Sequence, residues 1–226
     1  MAPCDIIRPR DAAGLVLLRA RGDSLEVMLG RRHGRARFMP GVFVTPGGCL
    51  DSGDSDGSGF PERLPPCQPG LDRRTERRIA AFARCALRET LEETGLLVGP
   101  QAADAKPDSS AAPWAAYAAL GRRPAFEALH IFARAITPAA SPIRFHTRFF
   151  LAWDAPVTVA ASGDGELEAV DWVPWNALEA LPMSEVTRAI LEAARIYREG
   201  IREGDPPAVE RMIYRDGRRL FTRGYG

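Results

Sequence analysis

The run Arg88-Glu89-Thr90-Leu91-Glu92-Glu93-Thr94-Gly95-Leu96 concentrates three carboxylates beside one guanidinium. At about 100° per residue, Glu89, Glu92 and Glu93 fall within about a third of a helix circumference. Ile79, Ala83, Leu87 and Leu91 gather on another side. Like charges at these spacings cost a few tenths of a kcal/mol per pair in an isolated helix, so the crowding calls for solvation or for a ligand. Arg88, one turn before Glu92, relieves part of the repulsion, and Gly95 suits a left-handed helix end. Clustered carboxylates are hard oxygen donors matched to magnesium or manganese. Such a cation can neutralise a diphosphate and orient or activate an attacking water.

Upstream, the segment from Arg37 to Asp51 reads as an apolar strand closed by a Pro46-Gly47-Gly48 turn, where glycine permits a carbonyl to face a metal or a phosphate. Taken with this turn, the Arg88–Leu96 run resembles the signature of the Nudix hydrolases: Gly, five residues, Glu, seven residues, then Arg-Glu-apolar-any-Glu-Glu-any-Gly-apolar. Thr90 stands where an aliphatic residue is usual, and Asp54 occupies the acidic position counted from Gly48. Counted back from Arg88, the same position falls on Ala80. About forty residues separate Gly48 from Arg88, so Cys49–Arg74 reads as an insertion. Two further segments, Ile136-Thr137-Pro138 and Arg144 to Ala152, are similar to a coenzyme A diphosphatase subgroup of that family, with His146 in place of an Asp. Glu166 to Pro174 looks like the family's late acidic strand.

The alternation of strands with few helices suggests an α/β layered domain. The resemblance implies more: an α/β/α sandwich with a mixed sheet, one domain over residues 1–226 with insertions at about 49–72 and 99–126 and a C-terminal extension at about 201–226. It makes Glu92, Glu93 and the Gly47 carbonyl ligands of Mg²⁺ or Mn²⁺. Glu89 becomes a further ligand or the residue positioning the water, and Arg88 the residue holding the carboxylates. The general base comes from this helix or from a distant loop, with Glu166 preferred to Glu168. The implied reaction is hydrolysis of a nucleoside diphosphate linked to another group, coenzyme A or an acyl derivative first, ADP-ribose or NADH as alternatives. A noncatalytic ligand sensor on the same fold is the reading from another class, and the three retained carboxylates argue against it.

Arg31, Arg32 and Arg37 in a basic loop, and Arg144 and Arg148 in a strand, are the candidates for substrate phosphates. For most of them a basic surface loop, or one polar strand face, is the simpler account. Trp114, Tyr117 and Phe126 offer a stack for adenine, though core or lid packing is the commoner fate of such aromatics, and the segment around them is a candidate specificity element. His33, His130 and His146 have no ligand spacing and are assigned to no metal.

A net charge of +1 gives no argument for nucleic acid or membrane attraction. The expected partner is a small nucleotide diphosphate, with a homodimer as an option. Lys106 is the single lysine among many arginines, a skew that favours bidentate phosphate contacts. Cys4, Cys49, Cys67 and Cys85 lack metal spacing, no leader pattern opens the chain, and no apolar run approaches ~20 residues. A reducing, bacterial cytoplasm is the expectation.

Ala12–Ala20 and Leu25–Arg31 read as a hairpin and Arg73–Thr94 as a helix, with a short helix around Trp114–Leu120. His130–Ile136, Arg148–Asp154 and Leu167–Val173 read as strands, Asn176–Leu181 and Ser184–Gly200 as helices, and the tail as a short hairpin centred on Asp216-Gly217.

Overall fold

The computed structural model describes residues 7–36, 39–64, 73–102, 113–204, 210–215 and 218–223. The chain opens with the expected hairpin, β1 (Arg10–Arg21) and β2 (Ser24–Arg32), antiparallel with Arg21 facing Ser24. Gly22, at φ +58°, turns the chain there. Two short strands follow, β3 (Phe43–Val44) on β2 and β4 (Gly47–Cys49) on β1. The expected Pro-Gly-Gly turn is thus a strand. Gly47 faces Gly14, and a Cβ on Gly47 would lie 2.4 Å from the Ala13 carbonyl oxygen, so only glycine fits.

Helix α1 (Arg73–Thr94) has the expected bounds. β5 (Leu96–Val98) follows, then α2 (Trp114–Ala119), β6 (His130–Ile136) and β7 (Phe145–Trp153). β8 (Val157–Val159) pairs with β5 as a separate two-stranded sheet that the sequence reading did not foresee. β9 (Leu167–Pro174) lies against β2, and α3 (Glu185–Glu203) runs past Gly200 to end at Gly204, which is left-handed at φ +81°. The expected helix at 176–181 is a 3₁₀ turn over Trp175–Ala180. β10 (Glu210–Arg215) and β11 (Arg218–Arg223) form the expected hairpin, whose Asp216-Gly217 turn lies outside the described residues. β10 also joins β6 in parallel, so the tail extends the main sheet.

The order of the main sheet is β11-β10-β6-β7-β1-β2-β3, with β4 and β9 attached to β1 and β2, and parallel pairing at β1/β7 and β6/β10 makes it mixed. Alternation in β1 serves two cores. Ala13, Leu15 and Leu17 pack with Phe82, Ala86 and Leu87 of α1, and Val16 and Leu18 pack with Ile190, Leu191 and Ala194 of α3. The result is the α/β/α sandwich expected.

Within the 99–126 segment the short helix falls where expected, at α2. Residues 103–112 lie outside the described part, while Trp114, Tyr117 and Phe126 are buried in the α1-side core. The Tyr117 hydroxyl donates to the Val98 carbonyl at 3.3 Å and accepts from the Val98 N–H at 3.1 Å, locking α2 to β5. These aromatics are core, because tethering the hydroxyl to a strand backbone turns the rings inward. Tyr117→Phe should lower stability by roughly 1–3 kcal/mol, since a buried backbone pair loses its partner. At roughly 2–4 °C per kcal/mol for a chain this long, thermal unfolding resolves the change. Turnover per folded molecule should stay as it is; a selective change in substrate preference would return α2 to the site.

Candidate active site

The last two turns of α1 build the site around one guanidinium. Arg88 Nε and Nη2 donate to the two Asp54 carboxylate oxygens at 3.0 and 2.9 Å. Nη2 also reaches the Cys49 carbonyl at 3.0 Å, and Nη1 donates to Glu89 at 2.9 Å and Glu92 at 2.8 Å. Burial opposes the charge, yet the bonded Asp54 and nearby Glu89 outweigh it and hold the Arg88 pKa above its ordinary value.

Asp54 sits in a 3₁₀ turn over Ser52–Ser55, capped by Asp51, whose own N–H donates to Asp54 at 2.9 Å. At 2% exposure Asp54 is effectively inside the protein. Arg84, one turn before Arg88, bonds the Asp54 carbonyl and the Glu62 carboxylate, and Glu62 accepts from the Ser58 N–H at 2.8 Å. The described part of the insertion is thereby tied to the helix. The two halves of the signature, split by about forty residues in the chain, meet at the Asp54–Arg88 pair.

Glu93 points the other way. It is 3% exposed and accepts from the Gly47 N–H at 2.8 Å, which ties β4 to the end of α1 through the same glycine whose carbonyl is the expected metal ligand. Burial raises the Glu93 pKa to about 8, with Glu89 and Glu166 adding to the rise and the Gly47 bond and Arg32 opposing it. Glu89 is raised as well, first by burial, then by Glu92 and Glu166, against the pull of Arg88. Gly48 makes this approach possible, since a Cβ there would lie 2.5 Å from the Glu89 carboxylate.

Glu166 comes from the loop between β8 and β9. The Asp164 N–H donates to the Glu92 carbonyl at 2.7 Å, and the Asp164 carboxylate accepts from the Glu166 N–H at 2.9 Å, which docks the loop on the end of α1. Glu168 is occupied elsewhere, with Arg31 at 3.0 Å and His33 at 3.5 Å.

Above Glu89 opens a cavity of about 730 Å³ on the α3 side of the sheet. Its walls are Gly47 and Gly48 of β4, Ala12 and Gly14 of β1, Phe145, Thr147 and Phe149 of β7, Thr137 and Ser141 beyond β6, and Ser184 and Thr187 at the start of α3. Glu166 and Arg32 line it too. The other arginine candidates fall elsewhere. Arg31 pairs with Glu168, and Arg144 donates to the Thr137 carbonyl at 3.2 Å and the Ile7 carbonyl at 2.6 Å. Arg148 lies on the α1 side, 3.1 Å from Asp11 and 3.9 Å over the Phe82 ring. Strand alternation decides this: Phe145, Thr147 and Phe149 take the cavity face, so His146 and Arg148 take the opposite one. Arg37 lies outside the described residues. Arg10 lines the cavity without having been anticipated. Its signal was the alternate series Arg10, Ala12, Gly14, a strand face whose small residues leave room above the sheet.

The donor set fits a hard divalent cation. Asp54, Glu89 and Glu92 share a single guanidinium, Glu93 stands beside them, and burial together with the neighbouring carboxylates holds Glu89 and Glu93 above their ordinary pKa. In this conformation Arg88 holds Glu89 and Glu92 while Gly47 holds Glu93. Among the described residues no three acidic, histidine or cysteine groups converge on one point as a finished cage. No helix among them is long and apolar enough to cross a membrane.

The fold is that of a Nudix hydrolase. A Nudix hydrolase of Alicyclobacillus acidocaldarius superposes with a TM-score of 0.61 at 30% identity, covering 83% of this chain and 91% of that one. The Nudix domain of Shewanella oneidensis NrtR, solved with ADP ribose, gives 0.48 at 13% identity over 84% of this chain and 88% of that one. A MutT Nudix hydrolase of Burkholderia pseudomallei gives 0.46 at 19% identity over 83% and 98%. No protein-family model and no curated protein matches the chain. On the strength of the Alicyclobacillus enzyme, the chain belongs to the Nudix hydrolases, enzymes whose fold implies pyrophosphohydrolase activity on nucleoside diphosphate derivatives and which generally use divalent metals.

Asp54→Asn keeps the shape of the Arg88 clamp but removes its buried counter-charge, and should cost about 3 kcal/mol in urea unfolding. A change below about 0.5 kcal/mol, the scale of an ordinary surface substitution, would show that the pair holds nothing.

Glu93 gives a pH signature. With its folded pKa near 8 and the ordinary value at 4.5, the folded chain keeps a proton that the unfolded chain releases. Its burden on stability is absent below the ordinary value and grows as pH rises towards the folded one. In chelator, Glu93→Gln should melt close to wild type at pH 5 and progressively higher than wild type towards pH 8. A difference independent of pH would contradict this burial.

Proposed function

We propose that this enzyme is a Mg²⁺- or Mn²⁺-dependent pyrophosphohydrolase of coenzyme A or acyl-coenzyme A. The observation that carries the hydrolase chemistry is the Arg88 clamp on Glu89 and Glu92 under a cavity large enough for a nucleotide derivative. The coenzyme A reading rests on the sequence resemblance of the Ile136-Thr137-Pro138 and Arg144–Ala152 segments. His146, where this chain departs from the subgroup, lies on the α1 side with Asp11 and Arg134 and does not touch the cavity. We read residues 1–226 as one such domain, since the tail hairpin shares the main sheet.

In this reading Glu89, Glu92, Glu93 and Gly47 hold the cation, which when bound neutralises the diphosphate and acidifies water. Arg88 keeps the carboxylates at their stations. Glu166, at the cavity wall, accepts the proton of the attacking water as its oxygen bonds to phosphorus and the P–O–P bridge breaks. Arg32 offsets charge beside Glu93. Coenzyme A would give 3′,5′-ADP and 4′-phosphopantetheine.

Product masses for coenzyme A, ADP-ribose and NADH at equal concentration with Mg²⁺ or Mn²⁺ test the substrate. Preference for either of the latter two discards coenzyme A and keeps the hydrolase. Glu92→Gln should cut turnover at least ~100-fold while thermal stability holds, and Glu166→Gln should cost more than Glu168→Gln. Equal or reversed losses would move the base to α1.

A further inference from the structure

The cavity holds two cationic side chains among the described residues, and they stand apart. Arg32 is close enough to Glu93 to act on its carboxyl, so it serves the hydrolytic end. Arg10 lies near Cys49, on the other flank of β4. In β1 it stands four strand steps from Gly14, the partner of Gly47 in register, roughly 13 Å of backbone at ~3.3 Å per residue. Arg10 is exposed, so it edges the cavity at the end of that strand face away from Gly14. A ligand with its diphosphate over Glu89 and Gly47, extending along Ala12, would meet Arg10 with another of its parts.

Among the described residues nothing claims this guanidinium. The acid next to it, Asp11, points to the opposite face, held by Arg78 at 2.6 Å and Arg148 at 3.1 Å. Among the described residues Arg10 makes no ion pair and no side-chain hydrogen bond, while its backbone N–H, donating to the Arg144 carbonyl at 2.9 Å, fixes the start of β1. Its strand partner in register is Phe145, which lines the same cavity. The floor between Arg10 and the hydrolytic end is Ala12 and Gly14, and a Cβ at Gly14 would sit 3.0 Å from the Phe149 ring. A cation beside an aromatic ring, with a small-residue floor leading to a diphosphate-sized site, matches a flat base carrying a phosphate of its own.

We propose that Arg10, with Phe145 beside it, is a specificity residue that takes a phosphomonoester on the nucleoside end of the substrate. The enzyme thereby prefers nucleoside diphosphate derivatives bearing that third phosphate to those lacking it. The proposal rests on the hydrolase reading but not on coenzyme A itself, since any nucleoside phosphorylated on its sugar offers the same chemistry.

Two matched pairs test it: coenzyme A against dephospho-coenzyme A, and NADPH against NADH. Wild type should favour the phosphate-bearing member of at least one pair by roughly tenfold in kcat/KM, expressed in KM, the scale of one charge-assisted hydrogen bond. Arg10→Gln should bring that ratio close to one, Arg10→Lys should keep part of it, and Arg195→Gln, paired with Glu192 and Glu199 on α3 and outside the cavity lining, should leave it unchanged. Equal kcat/KM within both pairs for wild type, or an unaltered ratio in Arg10→Gln, overturns the proposal. Should no member of either pair be hydrolysed, the hydrolase reading fails separately. Calorimetric binding of 3′,5′-ADP against 5′-AMP then decides on Arg10 alone: tighter 3′,5′-ADP binding lost in Arg10→Gln supports the role, and equal binding of the two overturns it.

Discussion

The fork of Arg88 is the constraint on which the rest of the site depends. A guanidinium offers five N–H donors in one plane, and here they are divided among Asp54, the Cys49 carbonyl, Glu89 and Glu92. One side chain thus fixes the insertion, the end of β4 and two carboxylates of α1 relative to one another. A lysine, with a single point of charge on a flexible stem, has no such plane. Burial makes the arrangement unforgiving, because removing one partner of a desolvated pair leaves an uncompensated charge.

Around that clamp the sheet divides its polar work between two faces. On the α1 side, Asp11 gathers Arg78, Arg148 and His146, with Arg148 also resting on Phe82, and burial with the neighbouring arginines pushes His146 down to about 4. On the α3 side, Ala12, Gly14, Thr147 and Phe149 leave an open chamber edged by Arg10, Arg32, Glu89 and Glu166. One knits strands β1, β6 and β7 to α1; the other is left open as a cavity. The separation follows from the twofold repeat of a strand, which sends adjacent residues such as Arg10 and Asp11 to opposite sides.

Close backbone approach is the second requirement. Gly47 over Gly14, and Gly48 against Glu89, bring β4 within hydrogen-bonding reach of Glu93. Side chains at these glycines would push β4 off the sheet and off α1. The carboxylates of α1 would then lose the amide that supports Glu93 and the flank of the cavity they face.

Much of this was determined by local sequence. The 3.6-residue period of Ile79, Ala83 and Leu87 sets α1 and turns its acidic face away from the core, and alternation with tight turns sets the strand hairpins. The clustered Glu89, Glu92 and Glu93 beside Arg88 call for a cation or solvation within a single helical stretch, and the resemblance to the Nudix signature adds the phosphate chemistry. Tertiary structure alone decided what depends on distant pairing. It joined Asp54 to Arg88 across the insertion, assigned Arg144 and Arg148 to internal contacts, buried Tyr117 under Val98, paired β5 with β8 and placed Arg10 in the cavity. Periodicity fixes that residues alternate between two faces of a strand, but which face meets the cavity is set by the helix that packs on it.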